Sequence, residues 1–269
     1  MLRKIAEKKR EEVAQLKKER STAELLQEAK TVQPPRGFRQ ALVSSSRPVS
    51  VIAEVKKASP SKGVIRPDFD PVEIALAYRE AQAECLSVLT DESFFQGNIE
   101  YLRQIHAAVD RPLLRKDFLI DEIQVVQARA AGADCVLLIA AMLEGEQLRH
   151  LYQTAVELGM DVLVEVHDLA ECETVFRYTE PMLLGINNRN LHTFETDLAV
   201  TDQLISRLPA NLTVVSESGI STPADIERVK QAGARAVLVG EHFMRQQDVK
   251  QAVLSLVGEV GAAKPGVGL

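Results

Sequence analysis

Two lysines and three glutamates in this chain stand at spacings that would gather them for proton transfer: Glu54, Lys56, Lys116, Glu165 and Glu217. Residues two apart in an extended strand share a face. On that rule Ile52, Glu54 and Lys56 point one way, as do Leu114, Lys116 and Phe118. Leu163, Glu165 and His167 form a third such face, and Val215 and Glu217 a fourth. Charges seldom sit inside a protein without a partner or a purpose. A ring of structural salt bridges accounts for any one of them; their common place at the ends of several strands favours a site. A lysine and a carboxylate brought together shift each other's pKa, and desolvation drives both toward their neutral forms. The expectation is general acid and base chemistry near neutral pH.

The elements that must position these groups are short apolar segments. In order they are VSVIAEVK (49–56), CLSVLTD (85–91), PLLRKDF (112–118), CVLLIAA (135–141), DVLVEVHD (161–168), MLLGINNR (182–189), LTVVSESG (212–219) and AVLVGEHF (236–243). Stretches of helical composition separate them. Strands alternating with helices predict a parallel sheet. This number of units fits a closed (β/α)8 TIM barrel, whose catalytic groups lie at the C-terminal strand ends. Those ends carry Glu54, Lys56, Lys116, Glu165, Asn187, Arg189 and Glu217. Asp70 with Pro71, and Thr222 with Pro223, read as helix N-caps followed by proline. AGADC (131–135) and QAGARAV (231–237) have the glycine that closes a helix. EAQAEC (80–85) lacks it, with Gln82 in its place.

A second signal is anion binding. In TIM barrels the loops after strands seven and eight often hold a phosphate, and here they are SESGISTPADIERV (216–229) and VGEHFMRQQD (239–248). Gly219 and Gly240 would let the backbone approach an anion closely. The loop SPSKGVIRPDFDP (59–71) is long and basic through Lys62 and Arg66, and Pro60, Gly63 and Pro67 keep it out of regular structure. It reads either as a lid or as a solvated surface loop. Glu165, His167 and Asp168 make only a poor metal motif, and His192 and His242 have no ligand spacing. No nucleophile elbow is present.

The first part of the chain differs from the rest. Leu2, Ile5, Ala6, Val13 and Leu16 share a helical face. Ser21 and Glu24 form a capping box that starts a second helix through Ala29, and Pro34-Pro35 ends it. Phe38, Ala41 and Leu42 mark another short amphipathic turn. Packing on the barrel, pairing with a partner and binding nucleic acid are all open to this segment. Packing is favoured, because Glu7, Glu11, Glu12 and Glu19 interleave the positive charges as on a solvated face. The expected organisation is a helical extension over 1–48, a catalytic barrel over 49–258 and a frayed tail over 259–269. A net charge of −6 and the absence of Trp argue against a polyanion binder or a base-stacking platform. Cys85, Cys135 and Cys172 read as buried thiols of a reducing compartment. No apolar stretch is long enough to span a bilayer. A cytoplasmic protein is expected, with no nucleic-acid or membrane partner, acting as a monomer or weak homodimer.

IAEVKKASPSKG (52–63), SVLTDESFFQG (87–97), LLRKDFLID (113–121), LVEVHD (163–168), GINNRNL (185–191), VSESGI (215–220) and LVGEHFM (238–244) together resemble the indole-3-glycerol phosphate synthase family. The likeness covers essentially the whole chain, in the family's order, and RGFRQAL (36–42) resembles the family's extension. It implies a lyase of tryptophan biosynthesis. Carboxyphenylamino-deoxyribulose 5-phosphate would close to indole-3-glycerol phosphate, losing CO2 and water, with no metal or organic cofactor. It implies Lys116 as the acid at the substrate carbonyl and Glu165 as its support and a later base. Lys56 would pair with the substrate carboxylate, and Glu54 would orient Lys56. Asn187, Arg189, Glu217 and Ser218 would line the substrate pocket. Ser59, Gly219, Gly240 and the backbone of Glu241 would hold the phosphate, the Glu241 side chain turning away. Phe94, Phe95, Phe118, Leu138 and the extension are candidates for an apolar wall. His242 and Phe243 look less usual for the family. Two other readings compete with it: another phosphosugar barrel such as phosphoribosylanthranilate isomerase, and a non-catalytic phosphosugar-binding protein. The intact Glu54, Lys56, Lys116 and Glu165 set argues against both.

Overall fold

A computed structural model describes residues 2–260 apart from 191, 192 and 194. Leu191, His192 and the tail from 261 therefore lie outside the described residues. The eight apolar segments form eight parallel strands that close into a barrel. These are β1 (Ser50–Val55), β2 (Cys85–Leu89), β3 (Leu113–Lys116) and β4 (Cys135–Ile139). They continue as β5 (Asp161–Val166), β6 (Leu183–Asn187), β7 (Thr213–Glu217) and β8 (Ala236–Val239). Each strand pairs with its neighbours in sequence, and β1 closes the ring on β8 through Ser50↔Ala236. The expected (β/α)8 TIM barrel is therefore the fold.

Each segment runs past its strand at the C-terminal end. PLLRKDF, for example, gives a strand only over Leu113–Lys116. The residues beyond leave the ladder to form the rim. Period-two alternation survives: Ile52, Leu114, Leu163 and Val215 pack inside the barrel as one cluster, while Val51, Val164 and Val214 face the outer helices.

Three helices precede β1: α1 (Leu2–Glu19), α2 (Thr22–Thr31) and α3 (Phe38–Ser44). Ser21 and Glu24 make the expected capping box. The apolar faces of α1 and α2 bury Val13, Leu25 and Ala29 against Ile123, Val126 and Ala130 of the helix Glu122–Ala130. That helix covers the barrel wall, so the described part of the extension packs on the barrel. The α3 segment plugs the barrel from its N-terminal end. Phe38 and Leu42 are fully buried among the inner residues of the strands. The backbone N–H groups of Arg36 and Arg39 donate to Asp134 and Asp161, just before β4 and at the start of β5.

Two local expectations change. The loop after β1 is not wholly irregular, since Ala58–Ser59 and Gly63–Val64 pair as a small antiparallel hairpin. Gly63, at φ 65, supplies its turn. The helix Pro71–Glu80 closes without glycine because Gln82 itself adopts a left-handed φ of 58. A side chain in that conformation costs roughly 1–2 kcal/mol. Asp70 and Thr222 cap their helices as the sequence predicts.

Candidate active site

A cavity of about 410 Å³ opens at the C-terminal ends of the strands. It is lined by Glu54, Lys56, Ser59, Lys116, Glu165, Asn187, Arg189, Glu217, Ser218, Gly219, Gly240 and Glu241, which are all the residues singled out in the sequence as site residues. Alternation within the strands and the common rim bring them together.

The charges form two linked groups. Lys116 Nζ lies 2.8 Å from Glu217 Oε2 and 3.1 Å from Glu165 Oε2. The other Glu165 oxygen accepts from Asn187 Nδ2 at 3.1 Å. Lys56 Nζ lies 2.7 Å from Glu54 Oε1. Gly240 is explained by this pair, since a Cβ there would overlap the Glu54 carboxylate. Gly185 likewise leaves room for the Glu217 carboxylate. Ser59 Oγ and Glu217 Oε1 are buried and have no hydrogen-bond partner among the described residues.

The electrostatics correct one expectation. Burial pushes the Lys116 ammonium toward neutrality, but Glu217, Glu165 and Glu54 outweigh it and hold its pKa above the ordinary lysine range. Burial also opposes ionisation of Glu165, yet Lys116, His167 and Asn187 win and hold it below the ordinary value. The group poised near neutrality is Glu217. Burial raises its carboxyl from 4.5 to about 7, with the Glu165 charge adding to the rise against the pull of Lys116. The two neighbouring carboxylates are thereby pushed apart, so that they titrate in different ranges.

A stability test follows from that rise. Between pH 4.5 and about 7 the folded chain binds a proton at Glu217 that the unfolded chain has lost. Stability from this group is present below that window and lost as pH rises through it. Glu217→Gln removes the titration. The melting temperature of the variant, relative to the native chain, should therefore rise between pH 4.5 and pH 8. A pH-independent difference in thermal unfolding would contradict the raised carboxyl.

The rim fixes the remaining groups. Ser218 and Gly219 turn the chain after β7 with φ of 69 and 81. Asn188, not singled out from the sequence, holds this turn from beside β6. Its Nδ2 donates to Ser216 Oγ, to the Glu217 carbonyl and to the Ser218 carbonyl, while its Oδ1 accepts from Thr201. The Glu241 carboxylate is taken up by Arg245 at 3.0 Å and Arg189 at 3.5 Å. His167 Nδ1 lies 3.1 Å from Glu171, and Asp168 caps its helix by accepting from Glu171 N. Among the described residues no cluster of His, Cys, Asp or Glu is placed to hold a metal ion.

The apolar wall differs in part from the expected one. Phe95 and Phe118 line the cavity with ring centroids 6.1 Å apart. Leu137 lines it where Leu138 was a candidate, because alternation turns Leu138 to the outer core. Phe94 does not line it either. Leu2 and Ile5 of α1 do, so the extension forms part of the cavity. Their helical face in the sequence is the signal that points to it.

The model of the indole-3-glycerol phosphate synthase family matches residues 2–256. The chain belongs to the indole-3-glycerol phosphate synthase family. An indole-3-glycerol phosphate synthase of Bordetella pertussis is 54% identical over 250 residues, covering 92% of this chain and 95% of that relative. One of Bacillus licheniformis is 48% identical over 97% of this chain and 100% of its own length. A solved 3-hexulose-6-phosphate synthase superposes with a TM-score of 0.61 at 15% identity, over 79% of this chain and 100% of that one. That likeness speaks for the barrel alone. Family membership makes this chain a carboxy-lyase of tryptophan biosynthesis.

Proposed function

We propose that this cavity converts 1-(2-carboxyphenylamino)-1-deoxy-D-ribulose 5-phosphate to indole-3-glycerol phosphate through the charges described above. The observation that carries the assignment is the Lys116 ammonium gripped between Glu165 and Glu217 beside the aromatic pair Phe95 and Phe118. The ring carbon bearing the carboxylate attacks the ketone carbon, and the ketone oxygen gathers negative charge. Lys116 donates its proton to that oxygen. Its raised pKa is no obstacle, because a developing alkoxide is a much stronger base than an amine. A preorganised donor in a site shielded from water lowers such a barrier strongly. Loss of CO2 then restores the aromatic ring. Dehydration expels the former ketone oxygen as water and takes a proton from the neighbouring methylene carbon. Glu165, held ionised, is the base for that proton, with Glu54 supporting proton removal through Lys56.

Lys56 pairs with the substrate carboxylate and supplies acid in dehydration. Asn187 orients Glu165, and Arg189, Glu217 and Ser218 line the substrate. Ser59 Oγ and the backbone N–H groups of Gly219, Gly240 and Glu241 take the phosphate, in keeping with the loops that hold anions in this fold. The extension over 1–48 and the barrel over 49–258 act as one catalytic unit. Since one chain supplies every group used, a monomer or weak homodimer is the acting form, and sedimentation measures it. Among the described residues no helix is long and apolar enough to cross a membrane.

Lys56→Ala should raise the substrate dissociation constant about 10-fold or more, the loss of one charged hydrogen bond, and lower kcat as well. Unchanged affinity in direct titration would contradict carboxylate pairing. The reaction is tested by indole fluorescence on incubation with substrate in EDTA. The chain contains no Trp, so its background is low. A rising signal is expected, and folded protein that gives none would overturn the assignment.

A further inference from the structure

Lys9 stands on the apolar face of α1, between Ile5 and Val13 at helical spacing, and its side chain is only 2% exposed. Its ammonium lies 2.7 Å from Asp91 Oδ2, 2.8 Å from Asp117 Oδ1 and 2.7 Å from Glu12 Oε2. Replacing a buried ion cluster with apolar side chains is often neutral for stability, so stability alone does not account for it. Its location does. Asp91 follows β2, and its Oδ1 accepts from the backbone N–H groups of Phe94 and Phe95. Asp117 follows Lys116 directly and accepts from the N–H of Phe118 at 2.8 Å. Each carboxylate therefore fixes one wall of the aromatic pair, and Asp117 also fixes the backbone that carries Lys116. Ile5, one turn before Lys9, lines the same cavity.

We propose that Lys9 is a positioning residue whose ammonium clamps α1 to the chain after β2 and β3, setting the gap between Phe95 and Phe118 and the aim of Lys116. The proposal rests on the reading of Lys116 as the acid. Other groups around the clamp agree with it. Arg115 Nη2 reaches Asp117 Oδ2 at 3.1 Å, and Thr90 Oγ1 donates to the same oxygen. Glu12 is the one carboxylate of the set partly open to solvent. Burial works against the Asp117 charge, but Arg115 and Lys9 outweigh it and hold the carboxyl down at about 2. Asp91 is the weaker acid: burial raises it, and Lys9 is the main opposing charge. Without Lys9, Asp91 keeps a proton to higher pH. Its ionisation then sets two carboxylates against each other and splays the two loops.

The test is steady-state kinetics on Lys9→Met and on Lys9→Met/Asp91→Asn, each confirmed as folded by circular dichroism. Asparagine retains the N-cap. Misplacement of a reacting group by about 1 Å costs up to about 100-fold in rate. For Lys9→Met, kcat/KM should fall about 10- to 100-fold, with the deficit growing as pH rises. The double variant should lose that pH dependence, recover part of kcat and keep KM raised several-fold, because nothing then ties α1 to both loops. If Lys9→Met does not fold, the raised KM of the double variant carries the test. Native kcat, KM and pH profile in a folded variant, with only the melting temperature lowered, would overturn the clamp. An inactive native chain in the same assay would instead overturn the reaction on which it rests.

Discussion

Lys116→Ala is expected to lower kcat by about 10²–10⁴-fold, the usual loss for a removed acid or oxyanion donor, while substrate still binds. The expectation follows from geometry. The ammonium is held within 3.1 Å of two carboxylates, one on β5 and one on β7, so it has one aim and little freedom. Lys56 is tied to Glu54 at 2.7 Å and cannot take its place without leaving that partner buried and uncompensated. Rapid-mix kinetics with saturating substrate isolate the chemical step, and titration with product measures binding separately. A kcat within a few-fold of native would remove Lys116 from the acid role. A loss confined to binding would move it to substrate recognition.

Phe38→Ala is expected to destabilise the chain by about 3–5 kcal/mol, the range for a large aromatic deleted from a core. For a chain of this size that lowers the melting temperature by roughly 6–20 °C. Phe38 is 0% exposed and closes the barrel end opposite the cavity. The cavity left there faces Cys85, Leu114 and Leu163, whose backbones are fixed by the strand ladder, so it cannot collapse. The kcat at 25 °C should stay within about two-fold, because function in this fold sits at the other end. Phe176→Ala, at a side chain 38% exposed, is the control and should change stability by no more than about 0.5 kcal/mol. Equal melting temperatures for the two variants would refute the plug.

Much of this molecule is legible in its sequence because two periodicities carry it. Alternation by two places Glu54, Lys116, Glu165 and Glu217 on inward faces, and the order of strands brings those faces to one mouth. Local chemistry is equally readable where it involves neighbours in the chain, as in the capping box of Ser21 and Glu24 and the proline starts at 71 and 223. Contacts between distant segments are less so. Leu138 was a wall candidate and Leu137 takes the position, a change of one residue that moves a side chain to the other face of a strand. Asn188 acts by bridging β6 to the turn after β7, and its place between Asn187 and Arg189 says nothing of that. The convergence of the three carboxylates on Lys116 is legible, but the direction of its pKa shift is not, because it depends on those charges outweighing burial. Lys9 left one trace: a charged residue between Ile5 and Val13 on an otherwise apolar face. Its partners at 91 and 117 follow different strands, so only the closed barrel brings them to it.

The central claim is that one cavity closes the ring, releases CO2 and removes water. It is tested most directly with substrate carrying carbon-13 in its carboxylate, following labelled CO2 and the indole chromophore in the same reaction. The account predicts one CO2 for each indole formed, at matching steady-state rates, with both signals suppressed together in Lys116→Ala. An isomerised phosphosugar with the carboxylate retained, or CO2 released without indole, would contradict it.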